Sequence, residues 1–286
     1  MRQPPGFRRY SGTVFAGWIR EGFLPPQALL DHPEEIGRLP GAQHLLDCEG
    51  RQIHRLPLPF QDGTRSCFTY YFTNASFGRG FRRSYAFRTL RMSLRLQKHR
   101  FPTLNVLAAL KRRGELLNWT GLLVAEEVQS VCELPSAGQH VFQIHPSISL
   151  SPELAAALGR YLASLHGAGF YHGDLKSRHT LVSDQKQGYS FHLVDLEKSL
   201  YLPYLPSSLG LVLASRDLVQ LFASLPGADP RESKADLVLE SYLESADLTA
   251  RQKRALKKLT SLYGKHGSFR QGRTLLENLV DLLRRK

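Results

Sequence analysis

Two aspartates that bracket a β-hairpin pattern constrain this chain more than any other feature. Asp174 precedes an apolar run at residues 180–182, and Asp195 directly follows a second run at residues 191–194. Short apolar runs separated by a polar turn predict two paired strands. We therefore expect the two carboxylates to converge on one site beside this hairpin.

A site with two carboxylates suits phosphoryl transfer. One carboxylate orients or deprotonates the attacking hydroxyl, while the other holds the Mg²⁺ that neutralises charge on the phosphates. We assign Asp174 to the first role and Asp195 to the second.

The residues around both aspartates resemble two protein-kinase motifs. The run HGDLK at residues 172–176, followed by His179, resembles the catalytic loop H-R-D-L-K-x-x-N, with Gly in place of Arg and His in place of Asn. The run VDLE at residues 194–197 stands where a kinase has its metal-binding D-F-G. Both motifs occur in the expected order, after a predicted helix that ends near Gly167, and this context favours a kinase-like fold.

The histidine at position 179 narrows the resemblance to the lipopolysaccharide kinase (Kdo/WaaP) family. In its WaaP heptose-kinase type a His stands where other kinases, including the Kdo-kinase relatives, carry Asn. The similarity spans about residues 58–221 and is strongest in the C-terminal half. Residues 216–221 resemble the R-D-L-x-x-L helix of the family, which we expect to support the catalytic loop.

The resemblance implies a role for each residue of the loop. Asp174 is expected to orient the acceptor hydroxyl and Lys176 to contact the transferred phosphate, while His172 packs and holds the loops together. Asp195 and His179 are the predicted Mg²⁺ ligands, with ATP as the phosphate donor. A structural role for His179 stays open, because Mg²⁺ prefers oxygen ligands. The histidine spacing matches no defined zinc site.

The N-terminal half departs from the kinase pattern. It has no G-x-G-x-x-G loop, and alignment places Tyr70 at the nucleotide-binding strand lysine and Thr89 at its helix glutamate. No acidic residue lies between Asp62 and Glu115, so a shift in alignment does not restore the glutamate. Either this basic segment binds phosphates or it is a solvated surface.

Other residues of this half are candidates for nucleotide contacts. Arg79, Arg82 or Arg88 is a candidate replacement for the missing lysine. Glu126 and Glu127 fall where the family has its T-E-E hinge between the lobes.

These patterns predict an α+β, bilobal, protein-kinase-like fold with a small β-rich N-lobe and a mainly helical C-lobe. The expected divisions are an N-terminal extension at residues 1–40, the N-lobe at 41–134 and the C-lobe at 135–286. Ser151, followed by Pro152, predicts the start of a buried C-lobe helix. Amphipathic helices are expected to close the C-lobe, the last of them at residues 270–286.

The charge of the chain points to an anionic partner. Its formal net charge is +13, which favours encounter with phosphorylated glycolipid, an acidic membrane surface or nucleic acid. No nucleic-acid module is recognisable, and no apolar run is long enough to span a bilayer. Three scattered cysteines indicate a reducing compartment. The resemblance thus implies a cytoplasmic protein, peripheral on the inner membrane of a Gram-negative bacterium.

Two functions stay open from the sequence. One is an ATP-dependent kinase that phosphorylates a heptose or Kdo hydroxyl of the lipid A inner core. The other is a pseudokinase that keeps Asp174 and Asp195 but serves as a binding or scaffold protein, because the Lys/Glu pair is replaced at Tyr70 and Thr89.

Overall fold

The chain divides into two compact units. In the computed structural model the described residues are 3–48, 50–73, 84–114, 120–136, 144–185, 188–225 and 234–265. The first unit comprises Met1–Val131, Val141–Ile144 and His192–Glu197. The second comprises Cys132–His140, His145–Phe191 and Lys198–Lys286.

A seven-stranded antiparallel sheet organises the first unit. Its order is β1-β2-β6-β7-β5-β4-β3. The strands are β1 (Phe7–Ser11), β2 (Phe15–Arg20), β3 (Gln43–Cys48), β4 (Arg51–Phe60), β5 (Gly63–Phe72), β6 (Asn105–Arg112) and β7 (Gly121–Glu126). The short runs rich in apolar residues at 52–56, 66–72, 104–109 and 120–128 of the sequence overlap β4, β5, β6 and β7.

Each face of this sheet has its own apolar core. Helix α2 (Tyr85–Lys98) packs on one face, where Phe87 and Leu90 join Phe72 and Leu123. The short helix α1 (Gln27–Asp31) and the 3-10 turn Pro33–Arg38 supply buried side chains to the other face. Burial on both faces explains why β6 and β7 read as nearly continuous apolar runs.

The first forty residues are part of this sheet. The sequence suggested an extension wrapped on the domain, but β1 pairs with β2 and β2 pairs with β6. Phe7, Phe15 and Ile19 are completely buried there. The run Pro4-Pro5-Gly6 precedes β1, and Pro25-Pro26 follows β2. These residues bound the strands and leave the hydrogen-bond ladders intact.

Helices dominate the second unit. They are α3 (Pro152–Gly167), α4 (Ser207–Ser224), α5 (Lys234–Ser245) and α6 (Ala250–Lys265). As predicted, Ser151 caps α3: its Oγ accepts a hydrogen bond from the Leu154 backbone N–H at 3.2 Å. The predicted helix at residues 270–286 lies outside the described residues.

The hairpin predicted between the two aspartates is present. Strands β10 (Thr180–Gln185) and β11 (Gly188–Leu193) are neighbours in a three-stranded sheet whose third strand is β8 (Cys132–Glu133). A second small sheet pairs β9 (Phe170–Tyr171) with β12 (Leu200–Tyr201). Asp174 belongs to the second unit and Asp195 to the first, and the convergence of their carboxylates stays a prediction.

None of the described helices has the length and apolar composition needed to cross a membrane.

Candidate active site

The loop that carries Asp174 is held through its backbone by helix α4. The Asp217 carboxylate accepts hydrogen bonds from the backbone N–H groups of His172, at 2.6 Å, and of Gly173, at 2.8 Å. Asp217 is only 1% exposed. Because a buried N–H group without a partner is costly, this carboxylate fixes the start of the loop.

The same face of α4 supports the rest of the loop. Gln220 Oε1 accepts a hydrogen bond from the Leu175 N–H at 3.1 Å, and Ser224 Oγ accepts one from the Ser177 N–H at 2.7 Å. Asp217, Gln220 and Ser224 are spaced three and four residues apart, which places them on one side of a helix. The expectation that this helix supports the loop is confirmed.

Gly173 explains one departure from the kinase motif. Its φ is +80°, and a Cβ at this position would lie 2.6 Å from the Lys198 carbonyl oxygen. The Arg216 guanidinium also donates a hydrogen bond to the Gly173 carbonyl oxygen. A left-handed conformation against a neighbouring backbone excludes the arginine of H-R-D at this position.

Two lysines surround the carboxylate of Asp174. Lys176 Nζ lies 3.0 Å from Oδ1, and Lys198 Nζ lies 2.6 Å from Oδ2. The carboxylate is 13% exposed. Burial alone raises the pKa of Asp174, but the hydrogen bonds and charges of Lys198 and Lys176 outweigh it and hold that pKa well below the usual range. Asp174 is therefore ionised at neutral pH. Lys198 was not among the sequence candidates, since no known motif marks it.

The two histidines of the catalytic loop stack on each other. His172 and His179 are both buried, and their rings are nearly parallel with centroids 5.8 Å apart. His179 Nδ1 lies 2.8 Å from the Asp174 carbonyl oxygen, which makes Nδ1 the donor, and Arg178 Nε donates to Nε2 at 3.2 Å. With both ring nitrogens engaged, the geometry favours the structural role that the sequence left open. The metal role of His179 stays a prediction.

Asp195 has a backbone conformation that few side chains tolerate. Its φ is +57°, in the left-handed region. Leu193, two residues before Asp195, is held by the segment that follows α2. Thr103 Oγ1 donates a hydrogen bond to the Leu193 carbonyl oxygen at 2.7 Å, and the Leu193 N–H donates one to the Pro102 carbonyl oxygen at 3.3 Å. Left-handed non-glycine residues cost about 1 kcal/mol or more and cluster at functional sites.

Arg51, at the start of β4, is a cation that lies next to Asp195. Its Nη1 lies 3.4 Å from Asp195 Oδ1 and 3.7 Å from Glu197 Oε2. The three side chains are 25%, 24% and 16% exposed, respectively. Arg51 was missed from the sequence because its contact joins positions 144 residues apart.

The positions aligned with the kinase Lys/Glu pair lie on the first unit. Tyr70 is on β5, and burial, followed by the negative charge of Asp195, raises the pKa of its hydroxyl, so it is neutral at physiological pH. Thr89 is buried on α2. Neither residue supplies a charge.

Of the three arginines proposed as replacements for the kinase lysine, one lies within the described residues. Arg79 and Arg82 lie outside the described residues. Arg88 is half-buried on α2, in the helix turn that starts at Ser84.

The predicted hinge glutamates have side-chain partners on the sheet. Glu126 lies 3.1 Å from Arg65 and accepts a hydrogen bond from Asn105 at 2.6 Å. Glu127 is buried and pairs with Arg55 at 2.9 Å. Their carboxylates therefore stabilise strand ends, and any adenine contact at this hinge falls to backbone groups.

The oxygen donors beside Arg51 fit a magnesium site. Within the described residues no group of three or more His, Cys, Asp or Glu side chains could hold a metal ion by itself. Mg²⁺ normally takes one or two carboxylates and completes its shell with water and substrate phosphates. Asp195, with Glu197 near it, meets that requirement.

The chain is similar to known proteins in part of its sequence and in its fold. Residues 72–202 match the sequence model of the Lipopolysaccharide kinase (Kdo/WaaP) family. A solved structure of WaaP in complex with acyl carrier protein is similar at a TM-score of 0.55 and 19% identity, over 85% of this chain and 95% of that chain. A Rio2 kinase complex with ADP/Mg²⁺-phosphoaspartate from Chaetomium thermophilum gives a TM-score of 0.43 and 15% identity, over 98% and 82% of the two chains.

No curated protein matches this chain in sequence. The family match indicates a kinase, that is, a phosphotransferase, and it confirms the resemblance drawn from the catalytic loop. The chain therefore has a protein-kinase-like fold, with a β-rich N-lobe and a mainly helical C-lobe, and its residues 72–202 carry the sequence pattern of the lipopolysaccharide kinase (Kdo/WaaP) family.

Proposed function

We propose that this protein is an ATP-dependent kinase that phosphorylates a sugar hydroxyl, of heptose or Kdo, in the lipid A inner core. The observation that carries the proposal is the state of Asp174. A buried scaffold fixes its loop, and two lysines keep its carboxylate ionised. An ionised, positioned carboxylate followed by a lysine is what transfer to a hydroxyl requires.

Asp174 accepts a hydrogen bond from the acceptor hydroxyl and orients it toward the γ-phosphorus of ATP. The new bond joins the hydroxyl oxygen to phosphorus, the bond to the β,γ-bridging oxygen breaks, and ADP leaves. The hydroxyl proton passes to Asp174 and then to solvent. A carboxylate with a lowered pKa is a weak base, so its main contribution is orientation, with the proton leaving late in a loose transition state.

Lys176 and Lys198 supply positive charge next to the reacting oxygen. Their side chains are 36% and 49% exposed, respectively, and each contacts Asp174, so each can turn toward an incoming phosphoryl group. Asp195 would hold Mg²⁺, which supplies charge neutralisation on the phosphates. His179 was the second metal ligand predicted from the sequence, but hydrogen bonds at both of its ring nitrogens favour a structural role. The backbone near Glu126 and Glu127 is the predicted adenine contact.

The basic charge of the chain suits an anionic glycolipid acceptor. Its formal net charge is +13, and the exposed residues Arg251, Arg254, Lys257 and Lys258 form a basic surface on α6. Such surfaces attract phosphorylated headgroups at an acidic membrane. We place the protein on the cytoplasmic face of the inner membrane.

A pseudokinase is the second candidate, and one observation favours it. The aligned Lys and Glu positions hold neutral side chains at Tyr70 and Thr89, so the usual nucleotide clamp is missing there. Losing such a charge can cost several kcal/mol of transition-state stabilisation.

Phosphate transfer separates the two functions. γ-Labelled ATP and lipopolysaccharide lacking inner-core phosphate would be incubated with wild type, with Asp174→Asn, and with Asp184→Asn as a matched control on the exposed end of β10. We expect transfer by wild type and Asp184→Asn, and a loss of about 100-fold or more in Asp174→Asn. Magnesium-dependent ATP binding without any transfer would favour the pseudokinase, and equal transfer by all three would remove Asp174 from the mechanism.

A further inference from the structure

We propose that Arg51 is the nucleotide phosphate clamp of this protein, so that the clamping cation comes from β4 and not from β5. The inference rests on the proposed function, because a phosphate clamp presupposes a nucleotide site. It assigns a substrate-binding role to a residue outside every kinase motif of the sequence.

The register of the sheet brings Arg51 beside the expected lysine position. Across the β4–β5 ladder, Arg51 is paired with Phe72 and Ile53 with Tyr70. Cross-strand partners lie on the same face, so Arg51 and Tyr70 share a face and are diagonal neighbours, about 7–8 Å apart at their backbones. An arginine side chain is long enough to span this diagonal.

Electrostatics link the same residues. Both Arg51 and Asp195 influence the pKa of Tyr70, in opposite directions, after the dominant effect of burial. The sheet register places Arg51 diagonally opposite position 70, and its guanidinium lies 3.4 Å from the predicted metal ligand Asp195.

The Arg51 head group is accessible to solvent over part of its surface. At 3.4 Å and 3.7 Å, its approaches to Asp195 and Glu197 are longer than a strong charge-assisted hydrogen bond, and the head group is a quarter exposed. Arginine presents a planar fork that binds phosphate oxygens in pairs.

The absence of an acidic residue from α2 is consistent with a clamping cation on β4. In protein kinases the αC glutamate fixes the strand lysine in place. The residues of α2, Tyr85–Lys98, include no acid, so this helix does not supply that partner. Asp195 and Glu197 take over the fixing role for Arg51. A clamping cation on β4 leaves no role for the kinase lysine on β5 or for its glutamate partner on α2.

Nucleotide affinity tests the inference without relying on turnover. Binding of ATP and of adenosine to the full chain would be measured by calorimetry in Mg²⁺ and in EDTA, for wild type, Arg51→Ala, Arg51→Lys and Arg112→Ala, an exposed arginine on β6 of the same sheet. We expect Arg51→Ala to weaken ATP binding about 10- to 100-fold in both buffers, with adenosine affinity unchanged. Arg51→Lys should retain part of the affinity, and Arg112→Ala all of it.

Each other outcome overturns the inference. Equal ATP binding by wild type and Arg51→Ala would reject the clamp while leaving the proposed kinase intact. A parallel loss for ATP and adenosine would mean that Arg51 only maintains the fold, and a loss confined to Mg²⁺ buffer would mean that it only positions Asp195. If wild type binds no nucleotide in either buffer, the clamp and the ATP-dependent function fail together.

Discussion

Lys198 Nζ lies 2.6 Å from Asp174 Oδ2. Lys198 therefore acts on the proposed catalytic carboxylate directly, although it follows the second aspartate motif in the chain. Together with Lys176 it reverses the effect of burial on the pKa of Asp174.

Removing these lysines should raise the pKa of Asp174. We expect Lys198→Ala and Lys176→Ala each to raise it, and the double variant to bring it above an ordinary aspartate value of about 3.9, because only burial then remains. The carboxyl carbon signal of Asp174 in a pH titration by NMR measures this directly. Lys257→Ala, on the exposed face of α6, should leave the titration unchanged; a pKa insensitive to the double variant would contradict the assigned cause.

The same pKa shift predicts how stability depends on pH. Because the folded-state pKa of Asp174 is depressed, its ionised form stabilises the fold above the unfolded-state pKa of about 3.9. That contribution is lost as the pH falls through the folded-state pKa. Chemical unfolding of wild type and Asp174→Asn should therefore differ most near neutral pH and converge in acid. A constant difference across this range would argue against the shift.

Asp217 should control the order of the catalytic loop. Asp217→Ala leaves the buried N–H groups of His172 and Gly173 without their acceptor, which costs about 1–3 kcal/mol for each group. Hydrogen exchange at these two amides should accelerate strongly, while amides of the first unit keep their protection. Asp247→Ala, at an exposed site after α5, is the control. Unchanged exchange at both amides would show that α4 does not fix the loop.

The left-handed backbone at Asp195 predicts an order of stability. Glycine adopts a φ of +57° without strain and asparagine tolerates it, whereas alanine does not. Asp195→Gly should therefore be more stable than Asp195→Ala by about 1 kcal/mol. Asp195→Gly, Asp195→Ala and Asp195→Asn should all lose Mg²⁺-dependent nucleotide binding. Thermal unfolding without nucleotide gives the stability order, and an alanine variant as stable as the glycine variant would refute it.

Two glycines of α3 form a matched pair. A Cβ at Gly159 would lie 2.4 Å from the Val238 carbonyl oxygen of α5, whereas a Cβ at Gly167 would meet nothing within 4 Å. Gly159→Ala should destabilise the protein by about 1–3 kcal/mol through overpacking. Gly167→Ala should be neutral or stabilising by up to about 1 kcal/mol, because alanine favours the helix. Urea unfolding compares the two, and equal effects would argue against the close packing of α3 on α5.

Local signals in the sequence predicted the C-terminal elements well. The Ser151 cap and the hairpin between the two aspartates each depend on residues a few positions apart, and the structure has both. The strands within residues 1–40 were missed because each is short and flanked by Pro or Gly. Their pairing is decided by buried aromatics such as Phe7 and Phe15, which contact distant parts of the chain.

The site residues that escaped prediction have non-local contacts. Arg51 reaches Asp195 across 144 positions of the chain, and no motif joins them. Gly173 was visible as a departure from H-R-D, but its reason, a left-handed turn against the Lys198 carbonyl, exists only in three dimensions. The roles assigned to Asp174, Lys176, Asp195 and His179 stay predictions.

The support of the catalytic loop by α4 has a consequence for biosynthesis. The loop at residues 172–177 leaves the ribosome well before Asp217, which follows Gly173 by 44 residues. Until that segment emerges, the buried N–H groups of the loop have no acceptor on α4. A nascent chain halted before position 217 would therefore carry every residue of the H-G-D-L-K motif without its shape, and the enzyme would acquire its proposed reaction centre only late in translation.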